Sequence, residues 1–417
     1  MRLKVNTRIK VEDLFLLDKR WLAQMLFFVG VLIVYFTSMQ TWFLWPISSY
    51  MSVIACVFII PAMLLSKDIT RPCFVRKDFV LPILAYLLLA YYQVVNNSSN
   101  FNAYISTLFN ALVFFALFRY DPVCLQKVSR MLAKTMAVLL IGSITFFFLY
   151  LLGFPLPGSN LEYGDDFYSF TNYYWFLIDD RQLFAFFPRF QAVFPEPAYM
   201  GSAAALLLQT QRGNWRKWYC IILLIALLIS FSLAGYIYLV AIIFTNLWIR
   251  GKRLFLKLIL SISVLVAFVV GAFFYNNGDN LVHDLILLRL EVEDGEMAGN
   301  NRVSTNFDAD YENFWNSSDI FFGREKENEF GDSGYKVFIY TYGLVGLALL
   351  VFFYVSAFYK APNKRAMLSA LFLAALVFAA DGFILWFCRF IPFYCTAYQG
   401  DGKDMEQSNE ENEEEVS

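Results

Sequence analysis

Trp218-Tyr-Cys-Ile-Ile-Leu-Leu-Ile-Ala-Leu-Leu-Ile-Ser-Phe231 is the stretch that decides the fold, together with the apolar run 235–249 that follows after three residues. Neither run contains a charged residue, and the flanking segments 212–217 and 250–257 are basic. Because short cytoplasmic loops collect Lys and Arg, basic flanks on both sides predict that the chain crosses a membrane twice here. The turn between the two crossings is expected near residues 230–235.

Apolar runs of this kind recur along the whole chain. Of the 417 residues, 59% are hydrophobic and only 16% are charged, which exceeds what one soluble core requires. The composition therefore predicts an all-α, polytopic integral membrane protein with about twelve transmembrane helices. The expected spans are residues 22–38, 47–66, 79–95, 103–118, 131–153, 197–211, 218–231, 235–249, 254–275, 336–359, 366–380 and 383–398.

The basic residues predict the orientation of these spans. Lys and Arg cluster at every second connection, whereas the connections 39–46 and 96–102 carry none. This alternation predicts that both termini are cytoplasmic and that two long loops, 154–196 and 276–335, are extracytoplasmic. Loops on a rigid scaffold commonly carry function, so any chemistry is expected in these two.

Residues 1–400 are expected to form a single membrane domain. No cleavable signal sequence is expected, because the first apolar run follows a basic amphipathic start and ends without a small-residue cleavage site. The tail 401–417 carries eight acidic residues against Lys403, which predicts a disordered, solvated cytoplasmic end.

The residue types give little support to metal or disulfide chemistry. All six cysteines fall in expected spans or inner loops, so no external disulfide is expected. His283 is the sole histidine, and no paired metal-ligand spacing occurs. We therefore expect no metal, no other cofactor and no nucleic-acid partner.

The first long loop is rich in aromatic residues, among them Tyr173, Tyr174 and Trp175. Aromatic rings favour the headgroup depth of a membrane and also pack against sugars, so the loop is an interfacial segment, a frame for a glycolipid, or both. Arg181 suits a lipid pyrophosphate, because a guanidinium group presents a fixed fork of donors to phosphate oxygens. A surface pair with Asp180 is the alternative for Arg181.

This loop ends at Arg189-Phe-Gln-Ala-Val-Phe-Pro-Glu-Pro-Ala-Tyr-Met-Gly201, which opens the next apolar helix. Arg189 is a further candidate for phosphate binding. Glu196 precedes Pro197, a residue suited to the first helical turn, so its carboxylate is expected at a helix N-terminus. The helix dipole stabilises an anion there by about 0.3–1 kcal/mol. A plain capping carboxylate paired with Arg189 is the alternative.

The second long loop contains 14 acidic residues, most of them expected to form a solvated surface. Arg302 stands apart, because the sequence that follows it, up to Trp315, has the pattern of a short amphipathic helix. Contact of Arg302 with a phosphate or a sugar competes with a local ion pair to Asp308 or Glu312.

Several of these stretches resemble the superfamily of bacterial O-antigen polymerases and O-antigen ligases, over roughly residues 184–350. The first is similar to that family's Arg-x-x-Gly-x-Phe-x-x-Pro signature. The stretches that match in order and spacing are Arg189-x-x-Ala-x-Phe-x-Glu-Pro197, Ser230-Phe-Ser-Leu-Ala-Gly-Tyr236, Phe322-Gly323, Asp332-Ser-Gly-Tyr335 and Tyr342-Gly-Leu-Val-Gly346.

The chain departs from the family pattern at three places. Ala192 replaces the usual Gly, and Ser232 is not followed by the Arg that is frequent there. A ligase typically has a His-Asn pair just before the helix expected near Lys336, where this chain has Asp332 and Ser333. The last departure favours a polymerase over a ligase.

The resemblance implies a glycosyltransferase of the bacterial plasma (inner) membrane that joins polyprenyl-pyrophosphate-linked oligosaccharide repeat units into surface polysaccharide. Membrane lipid and a chain-length regulator protein are the further partners that it implies. Positively charged side chains would stabilise the diphosphate leaving group, and a carboxylate would activate or orient the attacking hydroxyl. The expected catalytic residues are Arg189, Arg302, Glu196 and Asp332, and the expected substrate contacts are Arg181, Phe194, Tyr199 and Tyr335.

Three other functions remain open on the sequence: an O-antigen ligase-type transferase, a transporter of polysaccharide or lipid-linked glycan, and a non-catalytic scaffold. Charges inside spans mark transport pathways, and Asp381 and Arg389 in the last hairpin are the clearest near-membrane charges. No internal repeat of the kind common in carriers is present. Arg389 is either a structural cation, paired with Asp381 or a backbone carbonyl, or a contact to the lipid carrier.

Overall fold

The structure is a computed structural model, and it is mostly helical, at 78%. It describes residues 11–66, 74, 77–95, 101–163, 168–180, 188–249, 292–293, 296–297, 305–325, 334–381 and 386–398, with isolated helical positions between 256 and 274. Eleven of the expected spans correspond to helices within this described part, and the remaining one, 254–275, is described only at those isolated positions.

The described helices follow one another with short connections, except at the two long loops. In chain order they are α1 (Val11–Ser38), α2 (Met51–Leu65), α3 (Val80–Val95), α4 (Phe101–Arg119), α5 (Pro122–Leu151), α6 (Pro197–Thr210), α7 (Trp218–Ile229), α8 (Leu233–Ile249), α9 (Thr305–Trp315), α10 (Gly334–Lys360), α11 (Lys364–Asp381) and α12 (Phe387–Tyr398). Two 3-10 helices, Trp42–Tyr50 and Ser318–Ile320, precede α2 and follow α9.

The apolar helices indicate a membrane protein. In the described part, four segments are long and apolar enough to cross a membrane: Trp21–Ser38, Trp42–Leu65, Cys124–Leu151 and Gly334–Lys360. Shorter apolar helices accompany them, and large hydrophobic side chains such as Val57, Val94 and Val138 are exposed on their outer faces. Exposed apolar faces of this kind suit a lipid environment.

The all-α prediction is incomplete, because the first long loop contains a β-sheet. Strands β1 (Ser159–Tyr163), β2 (Tyr168–Asn172) and β3 (Leu177–Asp179) pair antiparallel in that order. A separate hairpin pairs two strands of two residues each, β4 (Val292–Glu293) and β5 (Glu296–Met297), in antiparallel orientation. The strands are only three to five residues long, β1 is mostly exposed and β3 is wholly buried, so a search for long apolar runs does not detect them.

The helices have two chemically different ends. At one, the basic end, Lys360 pairs with Asp78 at 2.8 Å, the Arg119 guanidinium stacks on Phe79, and Arg130 lies near Tyr219. The opposite end, the loop end, carries the three-stranded sheet and α9. The cations at the basic end lie in or beside the short connections in which the sequence clusters Lys and Arg.

Helix α6 lies at the centre of the bundle. Every residue from Met200 to Thr210 is buried, and the helix packs against α5, α7, α8 and α12. Small residues make this possible, because Gly201 of α6 lies against Gly235 of α8 with no side chain between their backbones. A Cβ placed on Gly235 would lie 3.1 Å from the Gly201 Cα, and a Cβ on Gly201 would lie 3.0 Å from the Ser232 Cβ.

Enlarging either glycine should therefore destabilise the protein. For Gly201→Val and Gly235→Val we expect losses of about 1–3 kcal/mol each, because the added methyl groups overfill a closed contact. Gly271→Val is the matched control, since a Cβ at Gly271 meets nothing within 4 Å. Thermal unfolding of the detergent-purified variants measures the difference. Equal melting temperatures for all three variants would contradict the close α6–α8 packing.

Candidate functional site

The site begins at the turn that leads from the sheet into α6. Its backbone is tied to three neighbouring elements: the Ala192 carbonyl accepts from the Leu177 N–H at 2.8 Å, and the Val193 carbonyl accepts from the Trp42 N–H at 3.1 Å. The Phe190 N–H donates to the Ile229 carbonyl at 3.4 Å. These bonds fix the turn against β3, the first 3-10 helix and the end of α7, which gives α6 a rigid entry.

Ala192 adopts a left-handed conformation, with φ of 51°. Residues other than glycine rarely occupy this region, because Cβ crowds the backbone there. The Arg-x-x-Gly-x-Phe-x-x-Pro signature quoted above has Gly at this position, whereas this chain forms its left-handed turn with a strained alanine. The side chains of Ala192 and Phe194 are fully buried.

Glu196 and Arg189 lie on either side of this turn, and both side chains are half-buried. Glu196 is the N-cap residue of α6 with extended backbone (φ −140°, ψ 149°), and Pro197 occupies the first helical position, as expected. The Glu196 side chain accepts no capping hydrogen bond from the helix N–H groups. Capping through a side-chain hydrogen bond, one part of the plain alternative, is therefore wrong, and the carboxylate lies at the positive end of the helix dipole without forming such a bond.

One turn into α6, Tyr199 stacks on Trp386 with ring centroids 6.3 Å apart and planes tilted by 15°. The Arg389 guanidinium carbon lies 5.0 Å from the centre of the same Trp386 ring, in a cation–π arrangement. Arg389 is 7% exposed. We call Tyr199, Trp386 and Arg389 the loop-end stack, and it follows Glu196 directly on α6.

The loop-end stack is held in place by α12. The Cys388 N–H donates to the Ser38 Oγ at 2.8 Å, which ties the start of α12 to the end of α1. Below Arg389, a cavity of about 20 Å³ is lined by Gln209 and Thr396 among apolar side chains, and it has room for a single water molecule. From the sequence, Arg389 was predicted to be either a structural cation or a contact to the lipid carrier. Trp386 was not predicted to be part of the site.

The first long loop, 154–196, which we call the aromatic loop, packs on α5, and Tyr174 and Trp175 are among its rings that stay at the surface. Phe170 and Phe176 are fully buried, and the Trp175 ring lies against Gly142 of α5, since a Cβ on that glycine would be 2.4 Å from a ring atom. Tyr174 and Trp175 remain 51% and 42% exposed. Packing thus accounts for the buried rings, whereas Tyr174 and Trp175 are available to a membrane or a ligand.

Two phenols of this loop are partly buried. Burial raises the pKa of Tyr163 and of Tyr173 above the usual value near 10. Both therefore stay protonated hydrogen-bond donors at neutral pH.

Two later stretches quoted for the family resemblance meet at a break in α10. Gly343 has φ of 64° and ψ of −174°, and a Cβ there would lie 2.4 Å from the Phe321 carbonyl oxygen. Gly323 has φ of 84°, and its Cβ would lie 2.2 Å from the Thr341 carbonyl oxygen. The Tyr91 hydroxyl donates to the Tyr342 carbonyl at 2.8 Å. The segment 321–324 thus packs directly against the backbone of α10 at its break. Only glycine fits at positions 323 and 343, where the two backbones touch.

The cations beside this break are paired with carboxylates. Arg324 bonds Asp310 at 3.3 Å and Asp319 at 3.1 Å, and stacks on Tyr340. Lys336 bonds Asp308 at 2.9 Å. These pairs hold α9 against the start of α10. Asp308, named above as an alternative partner of Arg302, is thus occupied by Lys336.

The remaining predicted site residues have different placements. Phe194 is fully buried, so we assign it to shaping the turn before α6. Tyr335 is 45% exposed at the start of α10. Arg181, Arg302 and Asp332 lie outside the described residues. No group of three or more potential metal-ligating side chains occurs within the described ranges.

Comparison of the chain with protein-family models, with curated proteins and with solved structures found no match.

Proposed function

We propose that the protein is a membrane glycosyltransferase that joins polyprenyl-pyrophosphate-linked oligosaccharide repeat units into surface polysaccharide on the outer face of a bacterial plasma membrane. In this proposal the chain crosses the membrane about twelve times, the basic end is cytoplasmic, and the loop end faces outward. The growing glycan is transferred from its lipid diphosphate to a hydroxyl of the next lipid-linked unit.

The observation that carries the proposal is the grouping at the start of α6. Glu196, a carboxylate without a capping role, lies one helical turn before Tyr199, and the loop-end stack adds a buried guanidinium, Arg389, at the same end of the bundle. Arg189 precedes the turn that opens this helix. A carboxylate, aromatic faces and guanidinium groups are the groups that a lipid-linked sugar diphosphate requires.

The transfer breaks the bond between the anomeric carbon and the diphosphate oxygen and forms a bond from that carbon to the acceptor hydroxyl oxygen. The diphosphate leaves with the bonding electron pair, and the hydroxyl proton goes to a base. Glu196 is our first choice for that base, and Arg189 for balancing the charge on the leaving group, with Arg302 and Asp332 as the further candidates. Guanidinium groups can balance the diphosphate charge without a metal ion.

The exposed rings of the aromatic loop fit the same substrate. Tyr174 and Trp175 present apolar faces that pack against sugar rings or the lipid chain, at the end of the bundle where α6 begins. Arg181 and Tyr335 are proposed as further contacts. A chain-length regulator protein is the proposed protein partner.

A transporter explains the site less well. A carrier needs a pathway through the bundle, whereas the cavity next to Arg389 holds about 20 Å³ and α6 is closely packed along its length. The ligase-type reaction uses the same leaving group and differs only in the acceptor, so it remains the second candidate.

Glu196→Gln tests the assignment of the base. The amide keeps the shape of the side chain but cannot take up a proton, so we expect the ladder of long glycans to disappear from cells that depend on this chain. Glu162→Gln, an exposed carboxylate on β1, is the matched control and should leave the ladder unchanged. Protein abundance is measured by immunoblot. A normal ladder from Glu196→Gln would exclude Glu196 as the base.

A further inference from the structure

A second cavity lies at the basic end, far from the site described above. It is formed between α2 and α4 and has a volume of about 510 Å³. Its walls are apolar, and its one charged lining residue in the described part of the chain is an arginine. The lining side chains that matter here are Cys56, Ile59, Met63, Leu112, Phe115 and Arg119.

Arg119 is the last residue of α4 and lines the cavity where the cavity reaches the basic end of the bundle. Its guanidinium carbon lies 5.5 Å from the centre of the Phe79 ring and 5.6 Å from that of Phe115. Among the described residues it forms no ion pair, in contrast to Arg324, Lys336 and Lys360. The C-terminal dipole of α4 stabilises a cation at this position by about 0.3–1 kcal/mol. The dipole does not explain why an apolar cavity lies beside the cation.

The dimensions of the cavity match one leaflet of a membrane. Arg119 lies seven positions after Leu112 along α4, which corresponds to about 10 Å, and the lining of α2 from Cys56 to its end at Leu65 corresponds to about 14 Å. Half of a hydrocarbon core is about 15 Å thick. Ile60 and Leu64 on the rim are 42% and 57% exposed, so the cavity is bordered by lipid-facing side chains.

We propose that this cavity binds one anionic phospholipid from the leaflet at the basic end. The phosphate accepts hydrogen bonds from the Arg119 guanidinium, and one acyl chain lies along the groove between α2 and α4 toward Cys56 and Leu112. An anionic headgroup is favoured because the cation at the mouth has no carboxylate partner in the described residues. The proposal does not depend on the glycosyltransferase assignment, since the cavity is at the opposite end from α6's first turn.

Native mass spectrometry of the full-length protein, released from nanodiscs of either phosphatidylglycerol or phosphatidylcholine, tests this proposal. The wild-type protein should retain one phosphatidylglycerol and little phosphatidylcholine. Arg119→Gln should lower the retained fraction of phosphatidylglycerol about tenfold, because a charge-assisted bidentate contact is lost. Arg365→Gln, an exposed cation at the same end that does not line the cavity, should have no effect.

A second variant tests the apolar part of the site independently. Leu112→Trp fills the groove without changing the charge, so it should also abolish retention, and an unchanged melting temperature in lipid-free detergent would show that the variant is folded. Equal retention of the two lipids by the wild type, or full retention by Arg119→Gln, would overturn the proposal. A wild-type dimer that Leu112→Trp dissociates, with no lipid retained, would overturn it in favour of a second copy as the occupant.

Discussion

Cells whose only copy of this chain carries Arg189→Ala are expected to make no long-chain glycan, while the amount of the protein in the membrane stays normal. Arg189 stands at the start of the turn that opens α6, on the same side of the bundle as Glu196 and the loop-end stack. Removal of a donor that stabilises developing charge typically lowers a reaction rate about 10²–10³-fold. A loss of this size at every addition step removes long polymers first.

Two further variants separate charge from packing at this position. Arg189→Lys keeps the charge but lacks the planar fork of donors, so it should shorten the glycan without abolishing it. Arg365→Ala, an exposed arginine at the basic end, should leave the glycan unchanged. Full-length polymer from Arg189→Ala, measured on glycan gels beside an immunoblot, would argue strongly against the assignment.

Gly343→Ala is expected to destabilise the protein more than Gly201→Val or Gly235→Val, although it adds only one methyl group. With φ of 64° and ψ of −174°, this residue has a conformation that is essentially restricted to glycine, at a cost of about 1–3 kcal/mol for other residues. The new Cβ would also lie 2.4 Å from the Phe321 carbonyl oxygen and 2.6 Å from the Gly323 nitrogen, so backbone atoms must move. We expect a total loss above about 3 kcal/mol.

Gly153→Ala isolates the backbone contribution from the collision. Gly153 also has positive φ, 80°, but a Cβ there meets nothing within 4 Å. Its replacement should therefore cost only about 1 kcal/mol. Thermal unfolding in detergent compares the two variants. If Gly343→Ala melts at the same temperature as Gly153→Ala, the segment 321–324 does not pack against the backbone of α10 at Gly343.

Most of the helices were predictable from the sequence because they are apolar runs with basic or turn-forming flanks, whereas α9 is a short amphipathic helix. The start of α6 at Pro197 and the turn between α7 and α8 follow directly from such local signals. The three-stranded sheet was not predicted, because its strands are short and their partners are set by pairing across the loop. The break in α10 was also missed, since Gly343 lies inside an otherwise continuous apolar run.

The sequence groups the candidate site residues that share one segment, but not those that meet only through packing of distant segments. Arg189, Glu196 and Tyr199 lie within 11 residues of sequence, and the motif pattern identified them together. Trp386 joins Tyr199 only through the packing of α12 on α6, so no local pattern links them. The signal that could have identified this region is Arg389, a charged residue within an apolar helix, which is a default indication of a functional or paired position in membrane proteins.

The most direct measurement of the central claim is a transfer assay with the purified protein in lipid vesicles, supplied with lipid-linked repeat units and with a second lipid as an alternative acceptor. We predict that the glycan chains lengthen by whole repeat units, and that Glu196→Gln stops this growth. Glycan moved onto a different lipid acceptor would instead indicate a ligase. Chains of unchanged length that appear on the opposite side of the vesicle membrane would contradict the account and indicate a carrier.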